Sequence, residues 1–147
     1  MIIQIEESTL SGKVNIPASK SHTIRAVTIA SHANGKSFIR NPLQSNDALS
    51  AVECYRKLGA NIDTFDPVCW TIEGFGSNPT VMESDIDVGN SGTTMRLALG
   101  SASLADPDAK INLTGDNQIQ SRPVGPLIQS LNDLGAKVIS DKNNDCP

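Results

Sequence analysis

The chain has 147 residues with 38% hydrophobic content, and its 12 basic and 16 acidic side chains give a formal charge of −4. This length can bury one core, so we expect one compact domain or two small subdomains. Without a basic block, extended contact with nucleic acid is disfavoured on electrostatic grounds. No apolar run can span a bilayer, and acids stand where a secretory signal needs a positive end. We therefore predict a cytoplasmic protein without membrane contact.

Helix and strand patterns follow one another in two similar series. The first series, in chain order, is a helix over residues 21–35, a strand over 36–43, a helix over 45–60 and strands over 61–65 and 69–74. The second is a strand over 85–89, a helix over 91–105, a strand over 109–115, a helix over 122–136 and a strand over 137–140. Helix one has small and apolar residues nearly all round, which predicts burial on most sides. Both second helices end in Leu-Gly-Ala, a typical helix terminus.

This internal repeat predicts the fold. Each unit reads β-α-β-α-β-β, and repeated supersecondary units of this size pack in stacks or rings. We place the first unit at residues 11–85 and the second at residues 86–147, within an α/β (α+β) fold. The second copy lacks its last strand and has no convincing capping element, so we expect the natural protein to continue beyond Pro147.

Three predicted helices begin with a cation where the helix dipole favours an anion. Lys20 lies in the first turn of helix one, Arg96 lies one turn into helix three, and Arg122 stands at the start of helix four. Each placement is unfavourable by about 0.3–1 kcal/mol unless a negative group compensates. A helix N-terminus offers unpaired N–H groups, so the added cations fit a site for a phosphate or a carboxylate. Ser21 and Arg25 share a face of helix one and can reach one ligand together.

Gly92 strengthens this interpretation. A glycine inside a first helical turn costs about 0.5–1 kcal/mol relative to alanine, and the usual reason is close backbone approach by a ligand. Asn90 and Thr93 supply polar groups beside it. Simpler interpretations stay open, with the cations as solvated surface charges, Asn90 and Ser91 as helix caps, and Gly92 as a close contact between helices. Three parallel exceptions in a repeated architecture favour a composite anion site.

The remaining reactive side chains predict no metal site. Cys54, Cys69 and Cys146 lack C-x-x-C spacing, which argues against a disulfide framework or a zinc site. His22 and His32 are expected to be ordinary polar or core positions, since no third ligand accompanies them.

Four stretches in colinear order resemble the 5-enolpyruvylshikimate-3-phosphate synthase family: PASKSHTIRA, NPLQSNDAL, GNSGTTMR and LTGDNQIQSRPVGPLIQSLNDLGA. Each stretch alone is a weak signal, and the four in series are a strong one. The resemblance implies an inside-out barrel of two domains, each with three β-α-β-α-β-β units, buried helices and outer sheets, here truncated. Residues 1–10 would then be a strand of the other domain. The chain would cover well under half of the family's full length.

The resemblance also implies the reaction. Members transfer the enolpyruvyl group of phosphoenolpyruvate to the 5-hydroxyl of shikimate 3-phosphate in aromatic amino acid biosynthesis. The transfer passes through a tetrahedral intermediate and loss of phosphate, without cofactor or metal. Lys20 would touch both substrates, which would be the negative partners that its position requires. The other residues carried over by motif are Ser21 and Arg25 for shikimate 3-phosphate, Gly92 and Arg122 for phosphoenolpyruvate, Asn90, Thr93 and Arg96 as pocket-shaping residues, and Asp47 as a support for the first helix.

Two residues depart from the family pattern, Ala18 where members often have glycine and Leu97 where many have proline. The family's acid and base residues belong to a C-terminal part beyond this sequence, so we expect this chain alone to be inactive. Open apolar surface favours its self-association, whereas the full-length enzyme is expected to be a monomer. Two alternatives stay open. One is the related UDP-N-acetylglucosamine enolpyruvyl transferase, which has Lys-Asn and a reactive loop cysteine, and the other is a non-catalytic module that binds a phosphorylated metabolite.

Overall fold

The structure, a computed structural model, describes residues 2–140, and this part of the chain contains five helices and five strands. The first half contains α1 (Lys20–Ser31), β1 (Asn34–Arg40), α2 (Asn46–Lys57), β2 (Asn61–Asp63) and β3 (Cys69–Phe75). The second half contains β4 (Asp85–Asp87), α3 (Gly92–Ala102), β5 (Asn112–Thr114), α4 (Asn117–Gln120) and α5 (Gly125–Asp133). None of these helices is long and apolar enough to cross a membrane.

The strands form two sheets of different type. The first has the order β1-β3-β2 and is antiparallel throughout, with Phe38 opposite Thr71 and Ile62 opposite Ile72. Along β3, buried Trp70 and Ile72 alternate with less buried neighbours, the pattern of a strand with one face on the core. The second sheet pairs β4 with β5 in parallel, and α3 provides the crossover between them. The predicted mixture of helix and strand is therefore confirmed.

The core lies where the helices pack on one another and on the sheets. Ile24 and Val27 of α1, Tyr55 of α2, Met95 of α3 and Ile86 of β4 are all fully buried in one cluster. Burial of such side chains contributes about 1.5–3 kcal/mol each and is the main term that holds the two halves together. The core is continuous between the two repeat units, so α1, α2 and α3 keep fixed positions relative to one another.

The two Leu-Gly-Ala segments form the same helix terminus. Gly59 has φ +108° after α2, and Gly135 has φ +98° after α5, a conformation that favours glycine. In the first copy the amides of Gly59 and Ala60 donate to the carbonyls of Arg56 and Tyr55. The second copy repeats this pattern, from Gly135 to Asn132 and from Ala136 to Leu131, and both are Schellman motifs. The two Leu-Gly-Ala segments that the sequence repeats thus share one backbone geometry.

Several predicted elements differ from those observed. Residues 137–140 form no strand, and Val138 instead exchanges hydrogen bonds with the side chain of Asn132. Residues 2–19 form neither helix nor strand, so the placing of residues 1–10 in another domain stays a prediction. The sequence predicts α1 buried on most sides; five of its 12 residues are buried, and Ile29 is 71% exposed on a side that no element of residues 2–140 covers. The described residues therefore lack the opening strand of the first predicted unit and the strand predicted over residues 137–140 in the second.

Candidate anion-binding site

The three long helices α1, α2 and α3 run in the same direction. At one end, Lys20 of α1 contacts Asp47 of α2. At the other end, His32 after α1 and Tyr55 of α2 both hydrogen-bond the hydroxyl of Ser101 near the end of α3, at 2.8 and 2.9 Å. Parallel helices of similar length present all their N-termini at one end. The positive ends of three helix dipoles therefore point the same way.

The start of α3 lies beside the first half of α2. A Cβ placed on Gly89, three residues before α3, would be 3.2 Å from the hydroxyl of Ser50. Ser50 lies in the second turn of α2, so the N-terminal ends of these two helices are neighbours. Each helix has the serine cap that its sequence predicts: Ser19, Ser45 and Ser91 accept from the amide three residues later. The first turns keep further N–H groups without a helical partner.

Lys20 has a negative partner within the chain. Its Nζ lies 2.7 Å from Oδ2 of Asp47, and the two side chains are 50% and 23% exposed. Asp47 stands in the first turn of α2, where a carboxylate is favoured by the helix dipole. The carboxylate of Asp47 thus compensates part of the unfavourable charge of Lys20 in the first turn of α1, and its support of the first helix stays a prediction. The half-exposed ammonium keeps access to solvent and to a second anion.

The other predicted residues of α1 lie on the same turn or the next. Ser21 is half-buried in the first turn, and Arg25 is exposed one turn later. No salt bridge of residues 2–140 involves Arg25. The neighbouring Thr23 is buried and fixes the approach of the next segment, since its hydroxyl accepts from the amide of Leu43 at 2.9 Å. A hydroxyl and a guanidinium are therefore available on one face of α1.

Two guanidinium groups meet over Gly92. A Cβ added to Gly92 would lie 2.7 Å from Nη1 of Arg122 and 3.3 Å from Nη1 of Arg96. Arg96 donates from Nη1 to the carbonyl of Gly92 at 3.1 Å and from Nη2 to the carbonyl of Pro123 at 3.4 Å. The missing side chain is thus what lets both cations approach the first turn of α3. The sequence predicts close approach by a ligand at Gly92, and what approaches it in the structure is the pair of arginine side chains, so the ligand itself stays a prediction.

This arginine pair forms no salt bridge with a carboxylate among residues 2–140. Within residues 2–140, the salt bridges join Lys20 to Asp47, Arg56 to Glu53 and Lys57 to Glu83, and none includes Arg96 or Arg122. Two like charges beside a positive helix terminus repel one another, and an anion bound between them relieves that repulsion. Planar guanidinium groups bind carboxylates and phosphates through paired hydrogen bonds.

Asn90 and Asp116 join the two segments that carry these cations. Nδ2 of Asn90 donates to Oδ2 of Asp116 at 2.6 Å, and the amide of Asp116 donates to the carbonyl of Gly89 at 2.9 Å. Oδ1 of Asp116 caps α4 by accepting from the amides of Gln118 and Ile119. The Ile119 amide, followed by Asn90, the Gln118 amide and the positive charge of Arg122, holds the pKa of Asp116 below its usual range.

The structure brings together several residues that were predicted from the sequence and one, Asp116, that was not. Gly92, Arg96, Arg122 and Asn90 form one cluster, with Thr93 half-buried in the same turn. One part of the prediction is wrong: Arg122 does not begin a helix. It follows the short α4, and the next helix begins at Gly125 with Pro126 in its first turn.

Asp116 was not predicted as part of the site. Its signal in the sequence is a Gly-Asp pair before a short polar and apolar run, the pattern of a helix cap. Both errors, the helix expected to begin at Arg122 and the missed role of Asp116, come from the short α4, which has only four residues and was not predicted. Within residues 2–140 no group of three His, Cys, Asp or Glu side chains could hold a metal ion.

Comparison with known proteins identifies the family to which this arrangement belongs. The family model described as EPSP synthase (3-phosphoshikimate 1-carboxyvinyltransferase) matches residues 5–147. The chain belongs to the EPSP synthase family. A 3-phosphoshikimate 1-carboxyvinyltransferase of Acetivibrio thermocellus is 52% identical over 144 residues, and one of Ruminiclostridium cellulolyticum is 43% identical over 145 residues.

A solved structure of an EPSP synthase also matches the fold of this chain. The solved structure of EPSP synthase from Acinetobacter baumannii superposes with a TM-score of 0.80 at 28% identity and covers 92% of this chain. The matched region is 31% of that structure, and the chain spans 33% and 34% of the two relatives named above. The fold is therefore the inside-out α/β fold of EPSP synthase, and this chain corresponds to about a third of such an enzyme.

Proposed function

We propose that this chain is the part of an EPSP synthase that binds the anionic groups of its two substrates. The whole enzyme would transfer the enolpyruvyl group of phosphoenolpyruvate to the 5-hydroxyl of shikimate 3-phosphate. The observation that carries this proposal is the pair of guanidinium groups over Gly92, at the end of the molecule where three helix N-termini lie. Membership of the EPSP synthase family supplies the identity of the anions.

In this proposal Gly92 and Arg122 bind phosphoenolpyruvate, and Asn90, Thr93 and Arg96 shape the pocket around it. The substrate carries a phosphate and a carboxylate, which match two guanidinium groups that form no salt bridge with any of residues 2–140. Preorganised cations and helix N–H groups would stabilise charge that develops on these groups during addition and loss of phosphate.

Lys20, Ser21 and Arg25 would bind shikimate 3-phosphate, with Lys20 also reaching phosphoenolpyruvate. Asp47 holds the ammonium of Lys20 at 2.7 Å and so fixes its direction before substrates arrive. Such prior orientation lowers the entropy that binding has to offset.

NMR titration of this chain tests the proposal. We expect shikimate 3-phosphate to shift the amides of Lys20, Ser21 and Arg25, and phosphoenolpyruvate to shift those near Gly92. Lys20→Ala is expected to abolish the first response. The matched control is Lys36→Ala, since Lys36 is exposed in β1, close after the opposite end of α1. A response that the control removes equally would contradict binding at the helix N-termini.

The same titration distinguishes the alternatives. UDP-N-acetylglucosamine, used as the comparison ligand, is expected to give no shift, and a response to this nucleotide sugar alone would favour the related enolpyruvyl transferase. Binding of shikimate 3-phosphate in a longer protein that never forms product would favour the non-catalytic module.

We also propose that the chain by itself does not turn over, since the acid and base residues expected of the family lie outside it. Phosphate release from the two substrates should stay at the background rate with highly purified chain, and any saturable release would refute this.

We expect the chain to self-associate through its exposed apolar side chains, among them Ile16 and Ile29, at 83% and 71% exposure. Sedimentation as a monomer at high concentration would contradict that. A cytoplasmic location suits the free thiols of Cys54 and Cys69.

A further inference from the structure

We propose that Asp116 is a positioning residue for the phosphoenolpyruvate pocket, and that it places Arg122 over Gly92. This inference rests on the proposed function for the identity of the anion. The placement itself is a matter of geometry in the free chain. Asp116 has a negative charge next to an anion site, where it would repel the bound anion. Such a position is favourable only if the hydrogen bonds of Asp116 contribute more to the site than this repulsion costs.

The hydrogen bonds of Asp116 connect the two halves of the cluster. One carboxylate oxygen accepts from Asn90, two residues before Gly92, and the other accepts from the amides that begin α4. The backbone amide of Asp116 adds a third link, to the carbonyl of Gly89 at 2.9 Å. The side chain of Asp116 thus adds to the backbone links between the segment before α3 and the segment that leads to Arg122.

Arg122 depends on this link because α4 is one turn long. Ile119 of α4 is fully buried, and its carbonyl accepts from the amide of Arg122 at 3.0 Å. The position of the Arg122 backbone is therefore set by the turn that Asp116 caps. Loss of the cap frees the turn and with it the guanidinium over Gly92.

Two substitutions of Asp116 separate its charge from its hydrogen bonds. Asp116→Asn removes the charge but keeps an oxygen for the amides of α4, and its NH₂ can donate to Asn90 once that amide turns over. Asp116→Ala removes both the charge and the hydrogen bonds. If the charge alone mattered, both variants would bind an anion more tightly than the original chain, because a repulsive carboxylate is gone.

If Asp116 positions Arg122, the two variants behave differently. We expect Asp116→Ala to weaken binding of phosphoenolpyruvate about fivefold, which corresponds to the usual cost of losing a helix cap. Asp116→Asn is expected to bind as tightly as the original chain or more tightly. The matched control is Asp66→Asn, which removes the same charge from a turn where the side chain accepts from the amide of Val68. It should leave binding unchanged.

A second measurement needs no ligand and decides the question alone. Nuclear Overhauser effects between the Arg122 side chain and the α protons of Gly92 should be present in the original chain and in Asp116→Asn, and absent in Asp116→Ala. Persistence of this contact in Asp116→Ala would overturn the inference, as would equally tight or tighter binding by both variants. If the original chain fails to bind phosphoenolpyruvate while the contact depends on Asp116, the proposed function of this chain fails and the positioning role stands.

Discussion

Replacing Gly92 by alanine tests whether the arginine pair is the anion site. The new Cβ would lie 2.7 Å from Nη1 of Arg122, a distance that real Cβ atoms essentially never show, so the guanidinium has to move away. Arg96, at 3.3 Å, has to shift slightly as well. Both atoms are ends of long side chains, so the displacement costs little folding free energy.

Gly92→Ala should therefore weaken the binding of phosphoenolpyruvate without lowering the stability of the chain. Alanine is favoured over glycine in helices by up to about 1 kcal/mol, so we expect Gly92→Ala to leave the free energy of unfolding unchanged or slightly higher. A hydrogen bond to a charged group contributes about 1.5–3 kcal/mol, so a displaced Arg122 should weaken binding of phosphoenolpyruvate about tenfold or more. Urea unfolding and NMR titration measure the two quantities on the same samples.

The same helix offers a matched control. Gly100 also lies in α3, and a Cβ added there would meet nothing within 4 Å. Gly100→Ala should stabilise the chain by about 0.5–1 kcal/mol and leave the affinity for phosphoenolpyruvate unaltered. Equal affinities of Gly92→Ala and the original chain would refute the assignment of the anion to the space between Arg96 and Arg122.

Three further predictions concern ion pairs and titrating groups. Asp47→Ala should lower the free energy of unfolding by less than about 1 kcal/mol in urea, because its partner Lys20 is half exposed and such pairs are weak; a larger loss would indicate a buried role. Burial raises the pKa of Cys54 to about 12, so at pH 8 iodoacetamide should modify Cys69 well before Cys54, as peptide mapping would show; the reverse order would contradict the burial. The pKa of Asp116 is lowered on folding, so its contribution to stability is complete above about pH 4 and is lost as pH falls through the lowered value. Unfolding of Asp116→Asn should therefore depend less on pH in that range, and identical pH profiles would exclude the contribution.

Local signals in the sequence predicted most of the secondary structure. Ser45 and Ser91 cap the starts of α2 and α3, and Gly59 and Gly135 end α2 and α5, because caps and left-handed termini depend on neighbours within a few residues. The strand predicted over residues 137–140 did not form, since a strand needs a partner and none of the described residues provides one. Short α4 was missed for a related reason: four residues carry too little periodicity to be read.

For the candidate site too, some features could be predicted from local sequence and others depend on the tertiary structure. The sequence by itself determined which residue types could bind an anion, because a cation or a glycine at a helix start is unfavourable on local grounds alone, and its motifs identified the family. Only the tertiary structure decided that Asp47 is the partner of Lys20, that Arg122 lies over Gly92 and not at a helix start, and that Asp116 joins the two segments. These contacts join residues 26 or more positions apart. They depend on how parallel helices pack around a shared core, and no local pattern of residues encodes that packing.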